Sequence, residues 1–186
     1  MKKLFFITIF FINCYFTSIT LALGGVLSVT TNESKIEYKK AYFAGGCFWC
    51  MEESFDKIKG VKKSISGYSG GHVKNPTYKQ VIYKDTGHVE AVTVYYDPKL
   101  ISYEKLLEVF WQNVDPFDAN GQFCDKGKSY RSVAFYQNLK QKKIIENSIL
   151  KIEERFNKKK VVTLVWEFKK FYPAEDYHQD YYQKNF

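Results

Sequence analysis

Two cysteines three residues apart follow a glycine pair in Gly45-Gly46-Cys47-Phe48-Trp49-Cys50, the segment of this chain best equipped for chemistry. A cysteine at a strand-to-helix turn faces unpaired backbone N–H groups and the positive end of the helix dipole. Both favour the thiolate, the reactive form of the residue. The C-x-x-C spacing is that of thiol redox sites. Zinc is a poorer reading: a structural site wants four ligands, and outside the N-terminal segment only Cys124 and three histidines could complete one. No second C-x-x-C or H-x-x-H pair exists. Two ordinary buried cysteines are the plainer alternative, since free Cys is often a core residue.

The elements around this segment must place Cys47 at such a turn. Ala41-Tyr42-Phe43-Ala44 is a short apolar run that stops at the glycines, as a strand would. Phe48, Met51, Phe55 and Ile58 then recur at helical spacing, so a helix is predicted to begin near Cys47, and Gly60 ends it. Residues 61–68 read as a strand, and Ser69-Gly70-Gly71 through Gly87 as a long polar loop containing Asn75-Pro76. A connection of that length is usually functional or disordered. Val89 to Tyr96 alternates, with Val92 and Val94 on one face, and Asp97-Pro98 stops it. Ser102 is placed to cap a helix carrying Leu106, Leu107, Phe110 and Trp111. A loop from Asp115 to Lys128 leads to a strand near 131–136, and Ile145, Ile149, Ile152 and Phe156 mark a lysine-rich amphipathic helix. Residues 161–168 read as a further strand before an aromatic, polar tail. Strands and helices alternate irregularly without a glycine-rich phosphate or dinucleotide loop, which predicts an α+β sandwich.

Composition agrees with one buried domain. Of 186 residues, 45% are hydrophobic and 18% aromatic, unlike a disordered chain. Four cysteines are too few for a disulfide-stapled mini-protein. The formal charge of +8 is basic without the concentrated field of a nucleic-acid binder, and no nucleic acid is expected as a partner. The N-terminus follows a separate logic. Met1-Lys2-Lys3 is cationic, no further charge appears until Glu33, and an apolar run from Leu4 to Leu23 carries small residues at Thr20 and Ala22. That is the order of a secretory signal cut after Ala22. An uncleaved anchor is the rival, since about 20 apolar residues can span a bilayer. Residues 1–22 are therefore expected to be a signal peptide or membrane anchor, 23–38 a linker and 39–186 one domain. The protein is expected to be exported, periplasmic or secreted, and monomeric.

Beyond Gly-Cys-Phe-Trp, several further motifs stand in register. They are Tyr68-Ser69-Gly70-Gly71, Asn75-Pro76-Thr77-Tyr78, Thr86-Gly87-His88-Val89-Glu90-Ala91-Val92, Gly121-Gln122-Phe123-Cys124-Asp125, Tyr130-Arg131-Ser132 and Ala174-Glu175-Asp176-Tyr177-His178-Gln179. In this order, over residues 41–186, the chain resembles the methionine sulfoxide reductase A family. The resemblance implies reduction of the S-epimer of methionine sulfoxide, free or in proteins, in repair of oxidative damage. It implies no bound metal or organic cofactor, and thioredoxin or another dithiol as external reductant. It also implies a two-layer α/β sandwich with a mixed, mainly antiparallel sheet of ferredoxin-like kind. By the same resemblance Cys47 matches the nucleophile and Glu90 the acid. Phe48 and Trp49 match the apolar wall around the substrate methyl, Tyr78 and Tyr130 the hydroxyls near the sulfoxide oxygen, and Asp125 a polar wall residue.

The chemistry fits those roles. A sulfoxide sulfur is electrophilic only when its oxygen is protonated or hydrogen-bonded, which requires a neutral carboxylic acid and hence a Glu whose pKa burial has raised. Two phenols can hold the oxygen without adding charge. Without the motifs, Glu90 would be a solvated strand charge and the aromatics ordinary packing. His88 and His178 are taken as structural, because the reaction needs no imidazole. Many relatives keep resolving cysteines in a C-terminal tail, whereas no Cys follows Cys124 here. The resolving thiol is therefore expected to be Cys50, with Cys124 as the alternative. Two other functions compete: a thioredoxin-like dithiol–disulfide oxidoreductase built on Cys47-x-x-Cys50, and a cationic binding module using Lys140 to Lys160, a stretch whose Glu153 and Glu154 make it look like a solvated helix face.

Overall fold

The computed structural model describes residues 37–186. The expectations of a signal or anchor at 1–22 and of a linker starting at 23 fall on residues outside that range. The elements, in chain order, are β1 (Lys39–Ala44), α1 (Phe48–Asp56), β2 (Val61–Ser69), α2 (Tyr78–Tyr83), β3 (Val89–Tyr96) and α3 (Tyr103–Gln112). There follow a two-stranded hairpin of β4 (Gly121–Gln122) and β5 (Asp125–Lys126), then β6 (Val133–Tyr136), α4 (Leu139–Arg155), β7 (Leu164–Glu167), β8 (Phe171–Pro173) and α5 (Tyr181–Asn185).

Six strands form one sheet in the order β7-β6-β1-β3-β2-β8. Every pairing is antiparallel except β6 with β7. The four central strands with α1 and α3 make a β-α-β-β-α-β unit, the ferredoxin-like arrangement, and the sheet is mixed as expected. One face carries the main core: Phe43 of β1 stacks on Phe55 of α1 and Phe110 of α3 with ring centroids 5.2 Å apart in each pair, and Val92, Val94, Leu106 and Ile145 fill in around them. Side chains on a strand alternate between faces, so Glu90, sharing parity with Val92 and Val94, belongs to this helix-covered face.

Four findings go beyond the sequence reading. The alternation of β3 suggests one wet face, yet both are covered. Tyr42, Ala44, Val89, Ala91, Val133 and Phe135 form a second apolar cluster, closed by Trp166, Phe168 and Phe171 as the chain passes from β7 at one sheet edge to β8 at the other. Phe168 stacks on Tyr42 at 3.6 Å. The loop between Gly71 and Gly87 contains α2. Thr77 caps it, its side chain accepting from Gln80 N while Gln80 Oε1 accepts from Thr77 N, a reciprocal capping box worth about 1 kcal/mol. The 115–128 loop contains the β4–β5 hairpin. The tail is no appendage either, since β8 extends the sheet along β2 and α5 lies on α1.

Candidate active site

Cys47 is the N-cap of α1, as the strand–glycine–helix pattern predicts. Gly46 makes the turn with a φ of +81°, and a Cβ there would lie 2.6 Å from Gln122 Cβ, so a glycine lets the β4–β5 hairpin close against the turn. Glu90 is 2% exposed beneath the same helix end, and its Oε2 accepts the Phe48 N–H at 3.0 Å. Burial first, and the Asp125 and Cys50 charges after it, push its carboxyl up to about 8, against that hydrogen bond. Glu90 is thus a neutral acid at neutral pH, held one residue past Cys47.

Cys50 is the third residue of α1, so its thiol returns towards the N-cap and interacts with that of Cys47. The Cys47 thiol is pushed up by Cys50 first and by burial second. The exposed Cys50 is held down to about 6, first by the Cys47 thiol and further by Tyr182. For this pair at the helix end the direction is a lowered Cys50 beside a raised Cys47, each set first by the other thiol. Cys50 Sγ meets Tyr182 Oη at 3.4 Å. Cys124 is exposed in the hairpin turn, beside Phe123 at a φ of +49°.

Tyr78 opens α2, and its hydroxyl lies close enough to that of Tyr130 for each to shift the other's titration. Both phenols are pushed up, by burial first and by the Glu90 charge among the rest, and Asp125 in the hairpin in turn raises Glu90. Cys47, Cys50, Glu90, Tyr78, Tyr130 and Asp125 therefore converge. Of the two apolar residues, Phe48 is 1% exposed and packs against Tyr68, Tyr78 and His178, so it backs the site from within. Trp49 is half-buried, with Tyr181 stacked on it at 3.7 Å.

Several residues that hold this arrangement had no assigned role in the sequence reading. Glu175 accepts from Tyr68 Oη at 2.8 Å and from Tyr78 N at 2.9 Å, fixing the start of α2. His178 accepts the Trp49 indole N–H at 3.2 Å and packs on Tyr78, so its structural reading places it inside the site wall. His88 matches its structural reading by accepting from Gly71 N and reaching Val73 O, which organises the loop before β3. Glu52 is 2% exposed and pushed up to about 7 by burial first, while accepting from Ser66 N and Asp180 N. Glu175 and His178 lay inside a recognised motif, whereas Glu52 and Tyr182 carried no local signal. Among the described residues no three His, Cys, Asp or Glu side chains are arranged to hold a metal ion.

The sequence profile of the family described as peptide methionine sulfoxide reductase matches residues 39–186. A peptide methionine sulfoxide reductase MsrA of Listeria monocytogenes is 54% identical over 153 residues, spanning 81% of this chain and 86% of that protein. Among solved structures, reduced Mxr1 from Saccharomyces cerevisiae is 31% identical with a TM-score of 0.75, covering 80% of this chain and 86% of that one. Methionine sulfoxide reductase A of Corynebacterium diphtheriae is 27% identical with a TM-score of 0.73, over 82% and 77% of the two chains. With its motifs gathered at one helix end and its whole sheet domain matched, the chain belongs to the MsrA family of peptide methionine sulfoxide reductases, oxidoreductases that act on methionine sulfoxide.

Proposed function

We propose that this enzyme reduces the S-epimer of methionine sulfoxide, free and in proteins, through a sulfenic acid on Cys47. The observation that carries this reading is Glu90, a buried and neutral carboxyl tethered to the backbone N–H next to the Cys47 nucleophile. The singly ionised thiol pair shares one proton, so Cys47 attacks the substrate sulfur while that proton rests on Cys50. Glu90 protonates the sulfoxide oxygen, the oxygen passes to the Cys47 sulfur, and the thioether leaves. The products are methionine, a Cys47 sulfenic acid and a Glu90 carboxylate, which regains its proton from water. Tyr78 and Tyr130 hold the oxygen as charge develops on it, Asp125 supplies a polar wall, and Trp49 backed by Phe48 receives the methyl. Mixing reduced enzyme with separated S and R epimers tests this directly. One equivalent of methionine from the S epimer alone is expected, and equal turnover of both epimers overturns the epimer assignment.

In the recycling half, Cys50 condenses with the sulfenic acid, releasing water, and a thioredoxin-like dithiol then reduces the disulfide. The placement of Cys47 at the N-cap and Cys50 three residues on in α1, where the two thiols interact, favours Cys50 over Cys124. Non-reducing peptide maps after one turnover are expected to contain a Cys47–Cys50 bridge. The Cys50→Ser variant is expected to release one equivalent of methionine and then stall. A Cys47–Cys124 bridge, or full dithiol-coupled turnover by that variant, reverses the assignment. A general dithiol oxidoreductase would not need Glu90, and reduction of insulin at a rate matching sulfoxide reduction would restore that reading.

The N-terminal pattern supports an exported protein, periplasmic or secreted, that starts near Leu23 with 23–38 as its linker. N-terminal sequencing of exported material is expected to begin there. An intact Met1 in a membrane fraction would instead identify an anchor.

A further inference from the structure

The C-terminal tail reaches the thiol pair through Tyr182, and we propose that the Tyr182 hydroxyl sets the rate of disulfide formation by stabilising Cys50 as the attacking thiolate. This rests on Cys50 being the resolving cysteine.

The placement is built with care. Asp180 takes a left-handed φ of +52° ahead of α5, and its N–H is held by buried Glu52 Oε2 at 2.9 Å. The Gln179 side chain joins the tail to β2, accepting from Ser66 N and donating to Ser66 O, each at 3.0 Å. Tyr181 lies flat on Trp49, at 3.7 Å with planes 6° apart. Three attachments to α1 and β2 thus precede Tyr182 and bring its hydroxyl to 3.4 Å from Cys50 Sγ.

The demand on that hydroxyl changes during the cycle. In the reduced enzyme the Cys47 thiol is the main donor holding Cys50 low. Once Cys47 is a sulfenic acid, that thiol no longer exists. The other titratable groups facing Cys50 are Asp125 of the hairpin, which opposes its ionisation, and Glu90, which opposes it until it regains its proton. Tyr182 stays in place as a side-chain donor through this change, 3.4 Å from Cys50 Sγ. Cys50 gives up its proton, its sulfur forms the S–S bond, the Cys47 S–O bond breaks, and hydroxide leaves with a proton as water. The Cys50 sulfur is oxidised as the Cys47 sulfur is reduced, so the step needs no outside reagent.

Tyr182→Phe keeps the ring and removes the hydroxyl. The lifetime of the Cys47 sulfenic acid, trapped with a dimedone probe after one turnover, is expected to lengthen about tenfold at pH 7. The difference is expected to close at high pH, where Cys50 ionises without help. In a Cys47→Ala background, which removes the thiol donor, Tyr182→Phe is expected to raise the pH midpoint of Cys50 alkylation by about one unit. A Cys47–Cys50 bridge formed with an unchanged lifetime, or slowed equally at every pH, overturns the proposal alone. A Cys47–Cys124 bridge in the unsubstituted enzyme overturns the assignment of Cys50 and this proposal together.

Discussion

Cys47→Ser is expected to abolish sulfoxide reduction while leaving the protein folded. A hydroxyl at neutral pH is a far weaker nucleophile toward sulfur than a thiol that can pass its proton to a neighbouring thiolate. Removing a nucleophile that acts together with its acid costs on the order of 10⁴-fold or more in rate. The fold has little reason to object, since Cys47 is half-buried and serine is among the best residues for the N-cap position it occupies. Thermal unfolding should therefore match that of the parent within about 1 kcal/mol. Single-turnover methionine release, followed by chromatography, is the measurement. Activity above a trace would mean that another residue attacks the sulfoxide.

Glu90→Gln is expected to slow sulfenic acid formation by about 10²-fold or more, the usual scale of a positioned general acid. The amide oxygen can still accept the Phe48 N–H, so the loss is of the transferable proton and not of the tether. The pH profile separates this from a structural effect. With a folded pKa of about 8, the parent should lose first-step rate as pH rises through about 8, because the acid is spent there. The glutamine variant should lack that limb. Stability falls over the same range. The folded carboxyl titrates above its ordinary value of 4.5, so the stability it contributes is complete below that pH and is lost as pH rises through about 8. Above that pH the variant should unfold at a higher temperature than the parent. An unchanged single-turnover rate would make Glu90 structural and assign the proton to another group.

Much of the site was legible because local patterns report local geometry. A strand, two glycines and a helical repeat were enough to place Cys47 at an N-cap. Alternation along β3 shares a face between Glu90, Val92 and Val94, but without the motifs Glu90 would have read as a solvated strand charge. The family motifs marked the same residues. Even α2 had a visible start in Thr77-Tyr78-Lys79-Gln80, hidden only by its brevity behind Asn75-Pro76.

What remained belongs to contacts with no local signature. Tyr182 reaches Cys50 across 132 residues of sequence, Trp49 finds His178 across 129, and Glu52 holds Asp180 across 128. No periodicity encodes such pairs, because they depend on β8 joining β2 at the sheet edge and carrying the tail back over α1. The second covered face of β3 has the same origin in the crossing from β7 to β8. The position of the thiolate was likewise undecided by C-x-x-C spacing. The sequence alone determined which groups could react and that a helix end would hold them. Only the tertiary structure decided how the two thiols and the glutamate beside them are buried and hydrogen-bonded, because desolvation and hydrogen bonding act through distances that folding sets.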